Sequence, residues 1–283
     1  MSDGRTLKEW LTQVCGDLKP VFNTKVRPTP AKVTPMRLVV DESIWEDSAN
    51  TLPPRHHSQA KHEEMHKQVN KMLPLGVISE SQAEYYSQVH LTPKPTPGEW
   101  RFCIDYRRLN AASKGMGWPI PNIPDMLRRL GNRKAKFFCK LDLTAGYHQA
   151  PLDEASRKYT AFRTARGLYS WNRVPMGLKG APSYFQHVMQ SEVLQGLQYD
   201  ICEIYIDDII IFADNEEDLV TSLRKVLERL TKYNKTEDLW LPYSELRDSA
   251  ALHTYLLAQP TRVMQKLVPT KFFIDGAYAP DVD

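Results

Sequence analysis

The amino-acid sequence predicts an α+β fold in which helices pack against an antiparallel sheet. Three observations predict it. The run "ICEIYIDDIIIFADN" (201–215) sets Asp207 and Asp208 between two β-branched and aromatic segments, which reads as strand, tight turn, strand. The segment "EEDLVTSLRKVLERLTKY" (216–233) places Leu219, Leu223, Val226, Leu227 and Leu230 on one helical stripe. Between Ser58 and these segments, strand-like and helix-like stretches are mixed rather than strictly alternating.

The elements follow in order. Residues 1–51 show no sustained period, and the prolines of "KPVFNTKVRPTPAKVTPMRLVV" forbid a long helix, so an extended N-terminal arm is expected. "SQAKHEEMHKQVNKML" (58–73) spaces Met65, Val69 and Met72 as a helix that stops before Gly76. His56, His57, His62 and His66 lack the carboxylate or thiol partners of a metal motif and read as solvated helix-face residues. "YYSQVHLTPK" and "EWRFCIDYRRLN" read as a strand pair joined at "PTPGE". "PDMLRRL" is a short helix expected to end at Gly131, and "KFFCKLDL" an apolar strand carrying Asp142 near its end. "SRKYTAFRTARGLYSWNRV" suggests a further hairpin, and Pro182 suits the first turn of a helix over "SYFQHVMQSEVLQGL".

Composition bounds the function. With 283 residues, 42% of them hydrophobic, the chain can bury a core. The opening "MSDGRTLKEW" is charged where a secretory signal needs an apolar run, and no apolar stretch reaches the roughly 18 residues of a membrane span. An intracellular chain, cytoplasmic or nuclear and without a membrane partner, is expected. Cys15, Cys103, Cys139 and Cys202 are too scattered for a zinc site or disulfide framework and are expected as reduced thiols. Lys94 to Lys140 holds eleven basic residues against three acids, about +8, and carries Trp100, Phe102, Tyr106 and Trp118; such a stretch suits nucleic acid. Trp100 and Tyr106 are expected to pack rather than to stack on bases.

Asp142 precedes Asp207 by 65 residues, and both fall at the ends of apolar strands, where a sheet can bring their carboxylates together. Converged carboxylates repel unless cations neutralise them, and their hard oxygens suit magnesium. An aspartate pair on a hairpin is equally an ordinary turn, so the pair alone leaves both readings open.

The ordered series "GEWRFCIDYRRLN", "KLDLTAGYHQAPLDEASRKYTAF", "GLYSWNRVPMGLKGAPSYFQHVM" and "YIDDIIIF" resembles the reverse transcriptase domain of gypsy-type LTR retrotransposons and of retroviruses, from about Leu52 to Tyr233. The resemblance implies a right-hand polymerase fold with fingers and palm over residues 52–234, preceded by the arm (1–51) and followed by a divergent tail (235–283) in which neither primer grip, thumb nor RNase H is recognisable. It implies RNA-directed DNA polymerase activity: transfer of nucleotides from dNTPs to a primer 3′-hydroxyl on an RNA or DNA template, with two Mg2+ ions, replaceable by Mn2+. Asp142, Asp207 and Asp208 would be the catalytic, metal-holding set. Lys94 and Arg101 would grip the triphosphate. Tyr147 would stack under the sugar and exclude a 2′-hydroxyl, while Met176, Gly177 and Lys179 would line the nucleotide and template pocket. Met176 departs from the Gln or Phe expected there. The rival reading is a catalytically inactive remnant that acts as a nucleic-acid-binding or interaction module.

Overall fold

The computed structural model describes residues 6–18, 26–96, 98–133, 135–143 and 145–233. The expected tail, 235–283, lies outside them. Two sheets organise the chain. The larger has the order β1-β6-β5-β2-β3, formed by Ile78–Glu80 (β1), Ser87–Pro93 (β2), Trp100–Ile104 (β3), Phe162–Thr164 (β5) and Gly167–Trp171 (β6). The smaller has the order β4-β8-β7, formed by Phe137–Asp142 (β4), Cys202–Tyr205 (β7) and Asp208–Ala213 (β8).

The smaller sheet is antiparallel throughout, as the sequence predicts. The larger one is mixed, because β2 pairs parallel to β5 through Ser87↔Phe162 and Gln88↔Arg163. Two hairpins, β2–β3 and β5–β6, are each local and readable; their edge-to-edge union joins residues about 75 positions apart and leaves no local trace.

In the N-terminal arm the structure corrects the expectation of extended chain. Leu7–Asp17 (α1) is a helix opened by a capping box, in which Glu9 N–H donates to the Thr6 hydroxyl and Thr6 N–H donates to the Glu9 carboxylate. It buries Val14 and Cys15 against Glu216–Tyr233 (α8), and Arg224 pairs with Asp17 at 2.7 Å. From residue 26 the chain runs without helix to residue 41 and is stitched to the smaller sheet's surroundings: Ala31 N–H donates to Gln149 O (2.8 Å), Lys32 N–H to Tyr233 O (2.7 Å) and Met36 N–H to Pro151 O (3.0 Å). Glu42–Trp45 (α2), capped by Asp41, then buries Trp45.

Gln59–Met72 (α3) buries Met65 and Val69 as its period requires. His56 and His57 precede this helix rather than riding on its face, and a His57 ring nitrogen lies 3.3 Å from Val89 O. A second correction concerns "RRLNAA": Arg107–Ala112 (α4) is a helix, not the end of a strand. The strand stops at Ile104, and Asp105 turns the chain by accepting from the Arg107 N–H and guanidinium and from Arg55. A third concerns Gly131, which does not stop Ile123–Arg133 (α5). Arg133 holds the last turn by donating to Tyr199 O and, at 2.8 Å, to Asp200 O, while Arg129 makes a two-pronged ion pair with buried Glu203 at 2.7 and 3.0 Å. After Glu154–Arg157 (α6), the helix opened by Pro182 runs only over Ala181–Val188 (α7), and Met189–Val193 continues it as a wider π turn.

The core of the smaller sheet lies on one face. Cys139 and Leu141 of β4, Ile209 and Ile211 of β8, and Cys202 and Ile204 of β7 are buried and in register, with the stripe of α8 packed over them. The period of two therefore turns the alternate residues, Lys140, Asp142 and Asp208 among them, to the opposite face. Buried Arg173 joins the regions of the fold, donating to His148 O (3.2 Å), Leu75 O (3.1 Å) and Pro28 O. The four cysteines are free, and burial pushes the Cys139 and Cys202 thiols up to about 12. Among the described residues no helix is long and apolar enough to cross a membrane.

Candidate functional site

Asp142 and Asp208 are direct partners across the β4–β8 ladder, and Asp207 precedes Asp208 in the turn between β7 and β8. Because Tyr205 pairs with Asp208, that turn has two residues, Ile206 and Asp207. Ile206 has φ +57°, a left-handed backbone normally reserved for Gly or Asn and strained for a β-branched residue.

Gln186 of α7 holds the turn in that shape. Its amide Nε2 donates to Ile204 O (3.1 Å), and its Oε1 accepts from Ile206 N–H (2.6 Å). The side chain is fully buried, so the two hydrogen bonds form in a low-dielectric setting. Sequence reading missed Gln186; the signal was a polar side chain on the buried face of "SYFQHVM".

The electrostatics are those of crowded acids. Burial, followed by the charges of Asp208 and Asp142, pushes the Asp207 carboxyl up to about 6. Burial and then Asp208 push Asp142 upward as well, partly opposed by the Lys140 ammonium and by the Leu143 N–H. Lys140 lies two residues before Asp142 on the same face, and its Nζ is 2.9 Å from Asp208 Oδ1. Among the described residues no three acidic, histidine or cysteine side chains are grouped so as to hold a metal ion. The donor chemistry of the triad nevertheless fits divalent cations: hard oxygens, partly buried, whose mutual repulsion a cation relieves.

Tyr147 follows on the turn after β4, half-buried, with its ring 5.3 Å from that of Phe185. Burial and the nearby Asp207 charge hold its phenol above the usual range, so it stays a neutral hydroxyl. Gly146 allows this packing: a Cβ there would come within 3.1 Å of Phe185 Cζ and 3.5 Å of Asp207 Cβ.

Met176, Gly177 and Lys179 form a loop braced by Asn110 of α4 from both sides. Asn110 Nδ2 donates to Gly177 O and Lys179 N–H donates to Asn110 Oδ1, each at 2.8 Å. Gly177 has φ +91°, which favours glycine, and Met176 is 59% exposed. Asn110 was hidden from sequence reading because its segment was read as strand. Lys94 and Arg101 sit on the β2–β3 hairpin, away from the ladder that carries the aspartates; Lys94 Nζ pairs with Glu99 at 3.0 Å, and Arg101 is exposed opposite Thr92. Tyr106 is buried and donates to Thr160 O, and Trp100 lies under Lys61, so both pack. A cleft of about 410 Å3 lies between the hairpin root and the loop, lined by Arg55, His90, Asp105, Arg107, Asn110 and Gly177.

Residues 92–236, just over half of the chain, match the model of the reverse transcriptase (RNA-dependent DNA polymerase) family. The chain belongs to this family. A retrovirus-related Pol polyprotein from transposon 412 of Drosophila melanogaster is 33% identical over 235 residues, covering 80% of this chain and 18% of the polyprotein. The corresponding polyprotein from transposon gypsy is 35% identical over 218 residues, covering 75% and 20%. The chain thus spans about a fifth of the length of these relatives. Among solved structures, a foamy viral protease-reverse transcriptase in complex with an RNA/DNA hybrid superposes with a TM-score of 0.67 at 20% identity, over 82% of this chain and 30% of that one. That likeness shows the fold, a reverse transcriptase fingers and palm. The antiparallel sheet of β4, β7 and β8, with α8 packed on it, is the palm sheet of that fold. Enzymes of this family work with divalent metal ions.

Proposed function

We propose that residues 52–234 are the fingers and palm of an RNA-directed DNA polymerase that extends a primer on an RNA or DNA template with dNTPs. The observation that carries the reading is the Asp142↔Asp208 register pair with Asp207 in the adjoining turn: one carboxylate meets two others about 65 residues onward, and burial together with the Asp208 charge raises the proton affinity of Asp142 and Asp207.

Asp142, Asp207 and Asp208 would hold two Mg2+ ions. When bound, such ions activate the primer 3′-hydroxyl and neutralise charge on the departing pyrophosphate. The chain's own contribution is placement. Gln186 sets the backbone of the turn and so the direction of both Asp207 and Asp208. Tyr147, packed on Phe185 and Gly146, cannot withdraw from the sugar, and its ring would clash with a 2′-hydroxyl. Lys94 and Arg101 would meet the triphosphate as a point charge and a planar donor fork, with Lys94 exchanging Glu99 for phosphate. The loop of Met176, Gly177 and Lys179 would line the nucleotide and template pocket, kept open by Asn110. The basic side chains of the adjoining cleft suit a phosphate backbone, and the foamy viral relative, seen with an RNA/DNA hybrid, supports that partner.

The test is primer extension on poly(rA) with an oligo(dT) primer, Mg2+ and labelled dTTP, comparing the chain with its Asp207→Asn, Asp208→Asn double variant. Incorporation that disappears in the variant is expected. A folded parent no more active than the variant would leave a nucleic-acid-binding remnant as the surviving reading.

A further inference from the structure

The three palm strands carry one basic residue, Lys140, and its position is not incidental. Pairing of Lys140 with Ile210 and of Asp142 with Asp208 turns Lys140 to the face of the aspartates, one step along the ladder. Its ammonium lies 2.9 Å from Asp208 Oδ1, with the two side chains only 28% and 24% exposed. A lysine this enclosed has given up much of its freedom and hydration, unlike an exposed lysine on a helix face. Its charge also works against the upward push on both other carboxyls, Asp142 and Asp207. One cation therefore serves all three acids.

We propose that Lys140 is the resident counter-cation of the carboxylate site, neutralising Asp208 while no metal is bound and releasing it as divalent ions enter. The proposal rests on the two-ion reading above. Its physical basis is competition: an ion entering the site must displace an ammonium already in contact with one of its ligands and is repelled by that charge at a few ångströms. Lys140 thereby lets the sheet fold with three acids gathered on one face, and it sets metal affinity below that of the bare triad. It is a positioning residue, acting through Asp208.

The experiment is Mn2+ binding to the full chain, followed by the electron paramagnetic resonance signal of the free ion, for the parent, Lys140→Met, Lys140→Gln and Lys140→Arg. Thermal unfolding of each form is measured in EDTA and in Mn2+. Lys140→Met and Lys140→Gln are expected to bind Mn2+ about tenfold more tightly, to melt lower than the parent in EDTA, and to recover that difference in Mn2+. Lys140→Arg, which keeps the charge, should follow the parent. A gain of affinity cannot come from mere loss of structure, and two neutral variants guard against one that misfolds. Unchanged or weaker Mn2+ binding by both neutral variants, with binding intact in the parent, overturns this proposal alone. Absence of saturable Mn2+ binding in every form overturns the two-ion reading and this proposal with it.

Discussion

The side-chain amide of Gln186 spans the strained residue Ile206, accepting from its N–H at 2.6 Å while donating to Ile204 O at 3.1 Å. A residue on α7 thus dictates the backbone of a turn some 20 positions later. Replacing it by Leu would leave the Ile206 N–H and Ile204 O without their partner, at a cost of about 1–3 kcal/mol. Gln186→Leu should therefore unfold at lower urea and lose at least tenfold in primer extension. A variant with the parent's activity would show that the turn keeps its shape unaided.

Gly146→Ala would test the packing beneath Asp207. The new methyl meets Phe185 Cζ at 3.1 Å, and Phe185 is itself buried against Tyr147, so it cannot yield cheaply. A cost of about 1–3 kcal/mol is expected, with activity falling more than stability alone explains because Phe185, which must give way, carries the Tyr147 ring. Calorimetry and extension assays on the same preparation separate the two effects.

Tyr147→Ala should open the site to ribonucleotides. Removal of the ring is expected to shrink the preference for dTTP over UTP by about a hundredfold, seen as the ratio of their kcat/KM values. An unchanged ratio would assign Tyr147 to packing alone.

Asn110→Ala removes both hydrogen bonds of the Gly177–Lys179 brace. Each contributes about 0.5–1.5 kcal/mol net, and the partners left behind can reach water, so stability should drop by about 1–2 kcal/mol. KM for the nucleotide should rise several-fold with kcat less affected. A pure kcat loss would contradict the bracing role.

The Asp207 carboxyl, pushed up to about 6 mainly by burial, predicts how the metal-free protein responds to pH. Its unfolded value is about 3.9, so the folded state binds this proton more tightly. The resulting stabilisation is fully present below about pH 4 and is lost as pH rises through about 6. Asp207→Asn should flatten that part of the profile and, after discounting for solvent screening, stabilise the EDTA-treated protein at pH 7 by about 1–2 kcal/mol. Urea unfolding between pH 4.5 and 7.5 measures it; identical slopes for parent and variant would sink the prediction.

Legibility in the sequence tracked locality. The helix α8 and the hairpin around Asp207 and Asp208 follow from the spacing of Leu219, Leu223, Leu227 and the flanking β-branched runs, and both are present where expected. The helix α4 was read as strand because "EWRFCIDYRRLN" carries no break of its own; Asp105 ends the strand through its contacts with Arg107 and distant Arg55. The helix α1 was missed because an 11-residue helix is marginal alone and is completed by burying Val14 and Cys15 against α8, more than 200 residues onward.

By itself, the sequence determined the chemistry on offer: an order of motifs that resembles a reverse transcriptase, a basic segment from Lys94 to Lys140, and Asp142, Asp207 and Asp208 at strand ends. Only the tertiary structure decided that Asp142 faces Asp208, that Gln186 holds the turn and that Lys140 sits on Asp208. The physical reason is that periodicity and turn chemistry act over a few neighbours, whereas register across a ladder and the partner of a buried amide or ammonium are chosen by the packing of the whole sheet against its helices.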